Sequence, residues 1–195
     1  MTVLGRLHVL TDARPGRDAL AVTRSALGAG APLIQVRVED GTGDRQFLAF
    51  AAEVLALCRA HGATCLINDR VDIALALGAD GVHLGADDLP VALARRILGP
   101  AAIIGATSKT TVDGADYLGV GPVSATAIKP EKAPIGIEGI ARSAGELPVI
   151  AIGGVTAESV PGLVTAGAHG VAVVGAVSGA ADPAEAVRAF LKALA

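Results

Sequence analysis

The chain has 195 residues, of which 52% are hydrophobic and 18% are charged, and its formal net charge is −3. This composition can bury a core and excludes a disordered chain, while aromatic residues, at 2%, are too few to stack nucleic-acid bases. No apolar stretch reaches the roughly 18 residues that span a membrane, and the N-terminus lacks a signal-peptide layout. We therefore expect a cytoplasmic protein without nucleic-acid or membrane partners.

Eight short aliphatic runs recur along the chain, and each is typical of a parallel strand covered by helices on both faces. They cover residues 7–10, 33–36, 65–67, 81–84, 102–105, 117–120, 149–152 and 171–174. Helical patterns separate most of them, and the clearest cover residues 44–61, 89–98, 157–166 and 183–194. The last pattern begins with Asp182 and Pro183, an N-cap residue followed by proline at the first helical position.

The dipeptide Gly-Ala recurs between a helical pattern and the next strand, at residues 30–31, 62–63, 78–79, 114–115 and 167–168. Glycine just past a helix end can adopt the left-handed conformation that closes the helix. Strands that alternate with helices pair in parallel through crossover helices. We therefore expect an α/β fold, a (β/α)8 TIM barrel that forms a single domain over residues 1–195. An open, doubly wound sheet is the alternative.

One connection is unusually short. Only about nine residues separate the strand that ends near Ala106 from the strand that starts near Asp116, whereas a crossover with its helix needs about 10–12 or more. Either the barrel has a missing or shortened helix between strands 5 and 6, or residues are absent from the sequence.

Polar or glycine residues follow nearly every predicted strand at its C-terminal end. In a (β/α) barrel the chemistry takes place just beyond these ends. Residues that only faced solvent would not need such a regular arrangement. The sequence therefore predicts one functional end of the barrel.

Asp69 and Asp88 end neighbouring strands and are candidate ligands of a magnesium ion, which binds a few carboxylates together with water and substrate phosphate oxygens. Each could instead cap the helix that is predicted to follow it. Gly153, Gly154 and Gly175 follow strands seven and eight, where glycine lets backbone N–H groups approach a phosphate. Simple turn glycines are the alternative for these positions.

Arg37 and Lys129 lie beyond two other strands, where their positive charges suit an anion, although each could also form a surface salt bridge. Cys58 and Cys65 match no zinc or redox spacing and are interpreted as buried, inert thiols. Packed or surface positions are the better interpretation of the histidines. These are His8, His61, His83 and His169.

Four segments resemble the thiamine phosphate synthase family, close to its thiazole tautomerase branch. They cover residues 66–74, 78–85, 114–122 and 148–155. The resemblance implies a magnesium-dependent transferase of thiamine biosynthesis, which joins hydroxymethylpyrimidine pyrophosphate to thiazole phosphate and releases pyrophosphate. The partners that it implies are these phosphorylated small molecules, and it is compatible with a homo-oligomer.

The resemblance also implies roles for particular residues. Asp69 and Asp88 resemble the ligands of Mg²⁺, the implied cofactor. The residues that match the family's pyrimidine-pyrophosphate site are Gln35, Arg37, Asn68 and Lys129, and Thr107 stands where the family usually has serine. The residues that match the family's thiazole-phosphate site are Thr126, Gly154, Val174 and Gly175. Arg37 and Lys129 would stabilise charge on the leaving pyrophosphate, so both are expected to be catalytic.

Four positions depart from the family pattern, and they leave two other functions open. Glu39 stands where a pyrophosphate-binding lysine is usual, Ala86 replaces glutamine, Ile128 replaces threonine, and Lys109 replaces histidine. Lys109 is our hypothesis for the replacement of the missing cation. A thiazole tautomerase-like enzyme is one alternative, although its expected base is the histidine that Lys109 replaces. A barrel that binds a phosphate ligand without turnover is the other.

Overall fold

A computed structural model describes residues 4–14, 16–125 and 133–195. Within these ranges eight parallel strands close into a barrel in chain order, with β8 paired to β1. They are β1 (Leu7–Leu10), β2 (Leu33–Val36), β3 (Thr64–Asn68), β4 (Gly81–Leu84), β5 (Ile103–Thr107), β6 (Tyr117–Val120), β7 (Val149–Ile152) and β8 (Gly170–Val173). The predicted (β/α)8 barrel is confirmed, and the open sheet is excluded because the circuit of strands is closed.

The helices surround the barrel. They are α1 (Ala19–Gly28), α2 (Asp44–His61), α3 (Val71–Leu77), α4 (Val91–Leu98), α5 (Gly136–Ser143), α6 (Val160–Thr165), α7 (Gly175–Ser178) and α8 (Pro183–Leu194). The bounds of α2 and α8 match the prediction, and Asp182 caps α8 by accepting the N–H of Glu185 at 3.0 Å. The pattern over 157–166 divides into a 3₁₀ turn and α6. No helix of the described residues is long and apolar enough to span a bilayer.

Glycine ends α2 and α3 as the Gly-Ala pattern predicted. Gly62 and Gly78 take φ values of 67° and 62°, and their N–H groups bond to the last carbonyls of these helices. Gly114 also has a positive φ, of 82°, but it follows a turn and no helix. The helical interpretation before Gly114 was therefore wrong, whereas the left-handed glycine was right.

The short connection lacks a helix. Residues 108–116 are all described, and they run from β5 to β6 as bends, a turn and irregular backbone. On one side α4 packs against α3 and β5, and on the other α5 packs against α6 and β7. Among the described residues, the outer ring of helices therefore has a gap between α4 and α5. Arg95 of α4 spans this region by donating to Asp116 at 2.7 Å and to the carbonyl of Gly114 at 3.1 Å.

The core has an outer and an inner part. The outer part lies between strands and helices and contains Cys58 and Cys65, both free thiols and buried as expected. Contact with Cys58, together with burial, raises the pKa of the Cys65 thiol. The inner part fills the barrel between its ends. Its buried members are Leu10, Leu33, Leu66, Ile103, Tyr117, Ile150 and Ala172.

Candidate active site

A cavity of about 670 Å³ opens at the C-terminal ends of the strands. Its volume lies within the roughly 300–1,000 Å³ that is usual for small-molecule sites. Every described residue of the predicted site lines this one cavity. They are Gln35, Arg37, Asn68, Asp69, Asp88, Thr107, Gly154, Val174 and Gly175. Thr126 and Lys129, as well as the departure at Ile128, lie outside the described residues.

Asp69 follows β3 in a left-handed backbone conformation that glycine adopts readily and that most other residues avoid. Its φ is 64°, and it is the non-glycine residue with positive φ among those described. The backbone N–H of Asp69 donates to the carbonyl of His83 at 2.8 Å, which fixes this turn against β4. The N-cap of α3 is Arg70, and no side chain caps that helix. The capping interpretation of Asp69 was therefore wrong.

Asp88 closes the turn after β4. Its Oδ2 accepts the N–H of Gly85 at 2.6 Å, while the N-cap position of α4 belongs to Pro90, without a side-chain cap. Asp88 is thus held by its own loop and does not cap α4. Ala86 and Asp87 of the same turn also line the cavity.

The carboxylates of Asp69 and Asp88 fit a magnesium ion by the chemistry of their donor atoms. Mg²⁺ is a hard cation that is usually bound through one or two carboxylates plus water and substrate phosphates. In the described part of the chain, no group of three or more histidine, cysteine, aspartate or glutamate side chains is arranged to hold a metal by itself. Water and the phosphate oxygens of a substrate would complete the coordination of such an ion.

Arg37 directly follows β2 and brings positive charge to the mouth of the barrel. Its backbone N–H donates to the Thr11 hydroxyl at 2.8 Å, and that hydroxyl donates to the Arg37 carbonyl at 2.5 Å. These bonds tie the ends of β1 and β2 together. Arg37 forms no ion pair with any carboxylate of the described residues, so the salt-bridge interpretation is not observed there.

Two further arginines line the cavity, and the sequence analysis missed them. Arg14 and Arg17 lie in the segment after β1. Arg14 donates from Nε and Nη2 to the two carboxylate oxygens of Asp12, each at 2.7 Å. The hydroxyl of Ser178 donates to Asp12 Oδ2 at 2.7 Å, and Arg17 donates to the Ser178 carbonyl at 3.1 Å. Hydrogen bonding from Arg14 holds the pKa of Asp12 well below its usual range.

The signal for these arginines was present in the sequence. Asp12 is the second residue after the first strand, and basic residues come two and five positions later. A carboxylate near a strand end, with arginines a few residues beyond it, indicates that the carboxylate holds an arginine side chain in place. Lys109, proposed as the replacement for a lysine at position 39, is not among the described residues that line the cavity. Glu39 is exposed beside this rim.

His83 lies in the cavity wall, contrary to the interpretation of the histidines as packed or surface residues. Its Nδ1 lies 3.0 Å from the Tyr117 hydroxyl, and its Nε2 lies 3.0 Å from the Thr107 hydroxyl. Gly105 and Gly119 leave space for these rings, because a Cβ at either position would lie 2.1 Å from Tyr117 or 2.7 Å from His83. Burial raises the pKa of Tyr117.

His8 and His61 agree with the packed or surface interpretation. His61 is exposed at the end of α2 and bonds to the carbonyl of Leu57. His8 is buried at the floor of the cavity, where its Nε2 bonds to the carbonyl of Gly5 at 3.0 Å. Burial, with a smaller effect of the His83 charge, lowers the pKa of His8 to about 3.

The loop after β7 requires glycine. Gly153 and Gly154 have φ values of 89° and 66°, and a Cβ on Gly154 would lie 2.7 Å from the carbonyl oxygen of Ala125. Both glycines line the cavity, and so do Val174 and Gly175 where β8 leads into α7. These positions therefore serve the turn and at the same time leave backbone exposed to a ligand.

A closed parallel barrel with arginines, carboxylates and glycines around one mouth defines a phosphate-binding (β/α)8 barrel. The sequence pattern described as thiamine monophosphate synthase matches residues 7–177. The chain belongs to this family.

Known relatives and structures agree over the full length. The thiamine-phosphate synthase of Salinispora arenicola is 54% identical over 206 aligned positions, which cover 100% of this chain and 99% of the relative. That of Moorella thermoacetica is 44% identical and covers 92% of this chain and 90% of its own. The structure of thiamine phosphate pyrophosphorylase from Pyrococcus furiosus superposes with a TM-score of 0.86 at 35% identity, and the match covers 97% and 95% of the two chains.

Proposed function

We propose that the chain, a transferase of thiamine biosynthesis by the family to which it belongs, is a Mg²⁺-dependent thiamine-phosphate synthase. It joins hydroxymethylpyrimidine pyrophosphate to thiazole phosphate and releases pyrophosphate. One observation carries this proposal: a cation, an amide, two carboxylates and a hydroxyl line the same cavity at the mouth of the barrel. They are Arg37, Asn68, Asp69, Asp88 and Thr107.

The pyrophosphate of the first substrate belongs at the rim between β2 and β5. Arg37 can grip a phosphate oxygen pair with two hydrogen bonds, and Asn68 and Thr107 add neutral donors. Gln35 is buried deeper in the barrel beside Tyr117, which suits contact with the pyrimidine ring. Lys129 is included on the family resemblance alone.

Asp69 and Asp88 are the residues that would hold Mg²⁺. When it is bound, the ion neutralises negative charge that builds up on the pyrophosphate leaving group. The left-handed backbone of Asp69 sets the direction in which its side chain leaves the chain, and the bond from the Gly85 N–H holds the Asp88 carboxylate before a substrate arrives. Such preorganisation lowers the free energy needed to assemble the site.

The reaction needs no protein nucleophile. The C–O bond between the pyrimidine methylene and pyrophosphate breaks, and its electron pair leaves with the pyrophosphate. The lone pair of the thiazole nitrogen then forms the new C–N bond to the methylene carbon. Arg37 stabilises the charge on the leaving group, while apolar walls from Leu10, Ile150 and Ile152 keep water from the carbocation.

The thiazole phosphate belongs at the opposite side of the mouth. Gly154, Val174 and Gly175 expose backbone there, and backbone N–H groups are good donors to phosphate oxygens. Thr126 joins this set on the family resemblance. Substrates bound at the two sides meet above the floor of the barrel, so positioning supplies much of the catalysis.

The tautomerase-like alternative has no support from the cavity. Its base is expected just after β5, where this chain has Lys109, and Lys109 is not among the described residues that line the cavity. The histidine that a tautomerase-like enzyme is expected to use as its base is therefore not present after β5.

The direct test is to mix the purified protein with both substrates and Mg²⁺ and to follow thiamine phosphate and pyrophosphate. We expect stoichiometric formation of both products, abolished by EDTA and by Asp69→Ala. Asp113→Ala, a change of an exposed carboxylate away from the cavity, is the matched control and should leave turnover unchanged. A folded protein that binds both substrates and forms no product would contradict the proposal and favour a binding barrel without turnover.

A further inference from the structure

We propose that Arg14 binds the pyrophosphate of the first substrate and offsets the negative charge of Glu39. This inference rests on the proposed function, because it assigns one more residue to the pyrophosphate side of that site. The residue lies in the segment after β1, outside the four segments of the sequence that carry the family resemblance.

The rim around β2 carries a charge that opposes its ligand. Glu39 lies two residues beyond Arg37 and is exposed, and Asp40 beside it lines the cavity. Carboxylates at this place repel an anionic substrate, so a second cation is needed to restore the attraction. Arg14 supplies this cation, because it lines the same cavity as Arg37 and Asp40. Hydrogen bonding to Asp12 and, to a smaller extent, the charge of Glu39 raise the pKa of Arg14.

The two hydrogen bonds from Arg14 to Asp12, here called the clamp, leave most of the guanidinium donors available for a ligand. Asp12 engages Nε and one N–H of Nη2, which accounts for two of the five guanidinium N–H groups. The Asp12 side chain is only 2% exposed, whereas that of Arg14 is 42% exposed. The carboxylate is therefore inside the protein, and the guanidinium extends from it to the wall of the cavity.

The clamp also keeps a surplus of positive charge. Arg14 and Arg17 share the single carboxylate of Asp12, with Arg17 Nε at 3.9 Å from Oδ2. The hydroxyl of Ser178 donates to that same oxygen at 2.7 Å. One negative charge thus faces two positive charges, and the cluster can neutralise part of an anion at the mouth of the barrel.

A pair on α8 shows what an ordinary surface pair looks like in this protein. Arg188 engages Glu185 through Nε at 2.9 Å and Nη2 at 2.8 Å, but both side chains are more than half exposed. The pair is not part of the cavity wall. Arg188→Gln is therefore the matched control for Arg14→Gln.

The test measures binding of inorganic pyrophosphate in the presence of Mg²⁺ by titration calorimetry. We expect Arg14→Gln to weaken this binding by about tenfold or more, the effect of one charge-assisted hydrogen bond, and Arg188→Gln to leave it unchanged. Glu39→Lys should strengthen binding in the parent and restore most of the loss in Arg14→Gln. In steady-state kinetics, Arg14→Gln should raise KM for the pyrimidine pyrophosphate while KM for thiazole phosphate stays within about twofold.

Two outcomes overturn the inference. One is a folded Arg14→Gln protein that binds pyrophosphate as tightly as the parent, and the other is an equal rise in KM for both substrates, which indicates a structural role of the clamp. If Arg14→Gln does not fold, Arg14→Lys keeps the charge without the two-bond clamp, and Glu39→Lys tests the same rim independently. If the unsubstituted protein binds pyrophosphate through Arg14 but forms no thiamine phosphate, the proposed function is refuted and the role of Arg14 in binding still holds.

Discussion

One residue of this site, Asp69, has a strained backbone conformation. Asp69 has a φ of 64°, a conformation that costs roughly 1–2 kcal/mol for a residue with a side chain. The strained backbone lies where a carboxylate faces the cavity, and residues under such strain cluster at functional sites. Asp69 therefore exchanges some stability for a defined position of its carboxylate.

We expect Asp69→Gly to leave the free energy of unfolding unchanged or to raise it by up to about 1 kcal/mol, because glycine relieves the strain. Turnover should fall by at least about 100-fold, since the carboxylate is lost. Asp69→Asn is the control, because asparagine tolerates the same φ and should retain stability while losing turnover. Denaturant unfolding and the product assay measure both quantities, and a clear loss of stability in the glycine variant would contradict the strain.

His8 predicts a pH dependence of stability. Its pKa is about 3 in the folded protein and 6.5 unperturbed, so the unfolded chain binds more protons between these values. The free energy of unfolding should therefore fall as the pH drops from 6.5 toward 3, with a slope from this group of up to about 1.4 kcal/mol per pH unit.

His8→Leu removes that group, and the slope between pH 6 and pH 4 should become shallower even if overall stability is lower. Urea unfolding at several pH values measures it. His61→Leu, at the exposed end of α2, is the control and should keep the parent slope. Equal slopes in the parent and His8→Leu would show that the buried ring does not govern acid stability.

His83 predicts an effect on both stability and affinity. His83→Leu leaves the hydroxyl of Tyr117 without the ring nitrogen 3.0 Å away and releases the hydroxyl of Thr107. We expect a loss of about 1–3 kcal/mol in the free energy of unfolding, because Tyr117 is buried. KM for the pyrimidine pyrophosphate should rise severalfold, and Thr107→Val should reproduce this rise without the loss of stability.

At the scale of elements, the repeated segment Gly-Ala-Asp joins consecutive strands in the same way twice. Asp80 precedes β4 and accepts the N–H of Cys65 in β3 at 2.7 Å, and Asp116 precedes β6 and accepts the N–H of Ile104 in β5 at 2.7 Å. Only the second carboxylate also pairs with an arginine, Arg95, beside the connection that lacks a helix. The two aspartates therefore form a natural comparison.

Asp80→Asn should cost about 1 kcal/mol of unfolding free energy, the usual net value of one hydrogen bond. Asp116→Asn should cost more, about 2 kcal/mol, because the bonds from Arg95 across the gap are weakened as well. Thermal or urea unfolding of both variants measures the difference. Equal losses would mean that the Arg95 pair contributes nothing to this part of the barrel.

At the scale of the whole molecule, the barrel could be predicted because its signals are local. Aliphatic runs mark the strands to within a residue or two, and glycine stops such as Gly62 and Gly78 mark helix ends. The described candidate residues meet in one cavity because parallel strands bring their C-terminal ends to the same rim.

The remaining part of the site depends on distant contacts that no local pattern contains. Arg14 gains its position from Asp12 and from Ser178, which is more than 160 residues away in sequence. The contacts of His83 with Tyr117 and Thr107 exist only when three strands close around a shared interior. A histidine in an apolar run therefore looks like a packed residue until the barrel is assembled.

The gap between α4 and α5 has a consequence for engineering. Strands β5 and β6 pair there, and no helix in the described part of the chain covers the pair. Added sequence at Val112 or Asp113 would therefore not have to displace any strand pairing. The connection between β5 and β6 is therefore a position at which a helix, a reporter peptide or a tether can be grafted onto the flank of the enzyme, away from the mouth of the barrel.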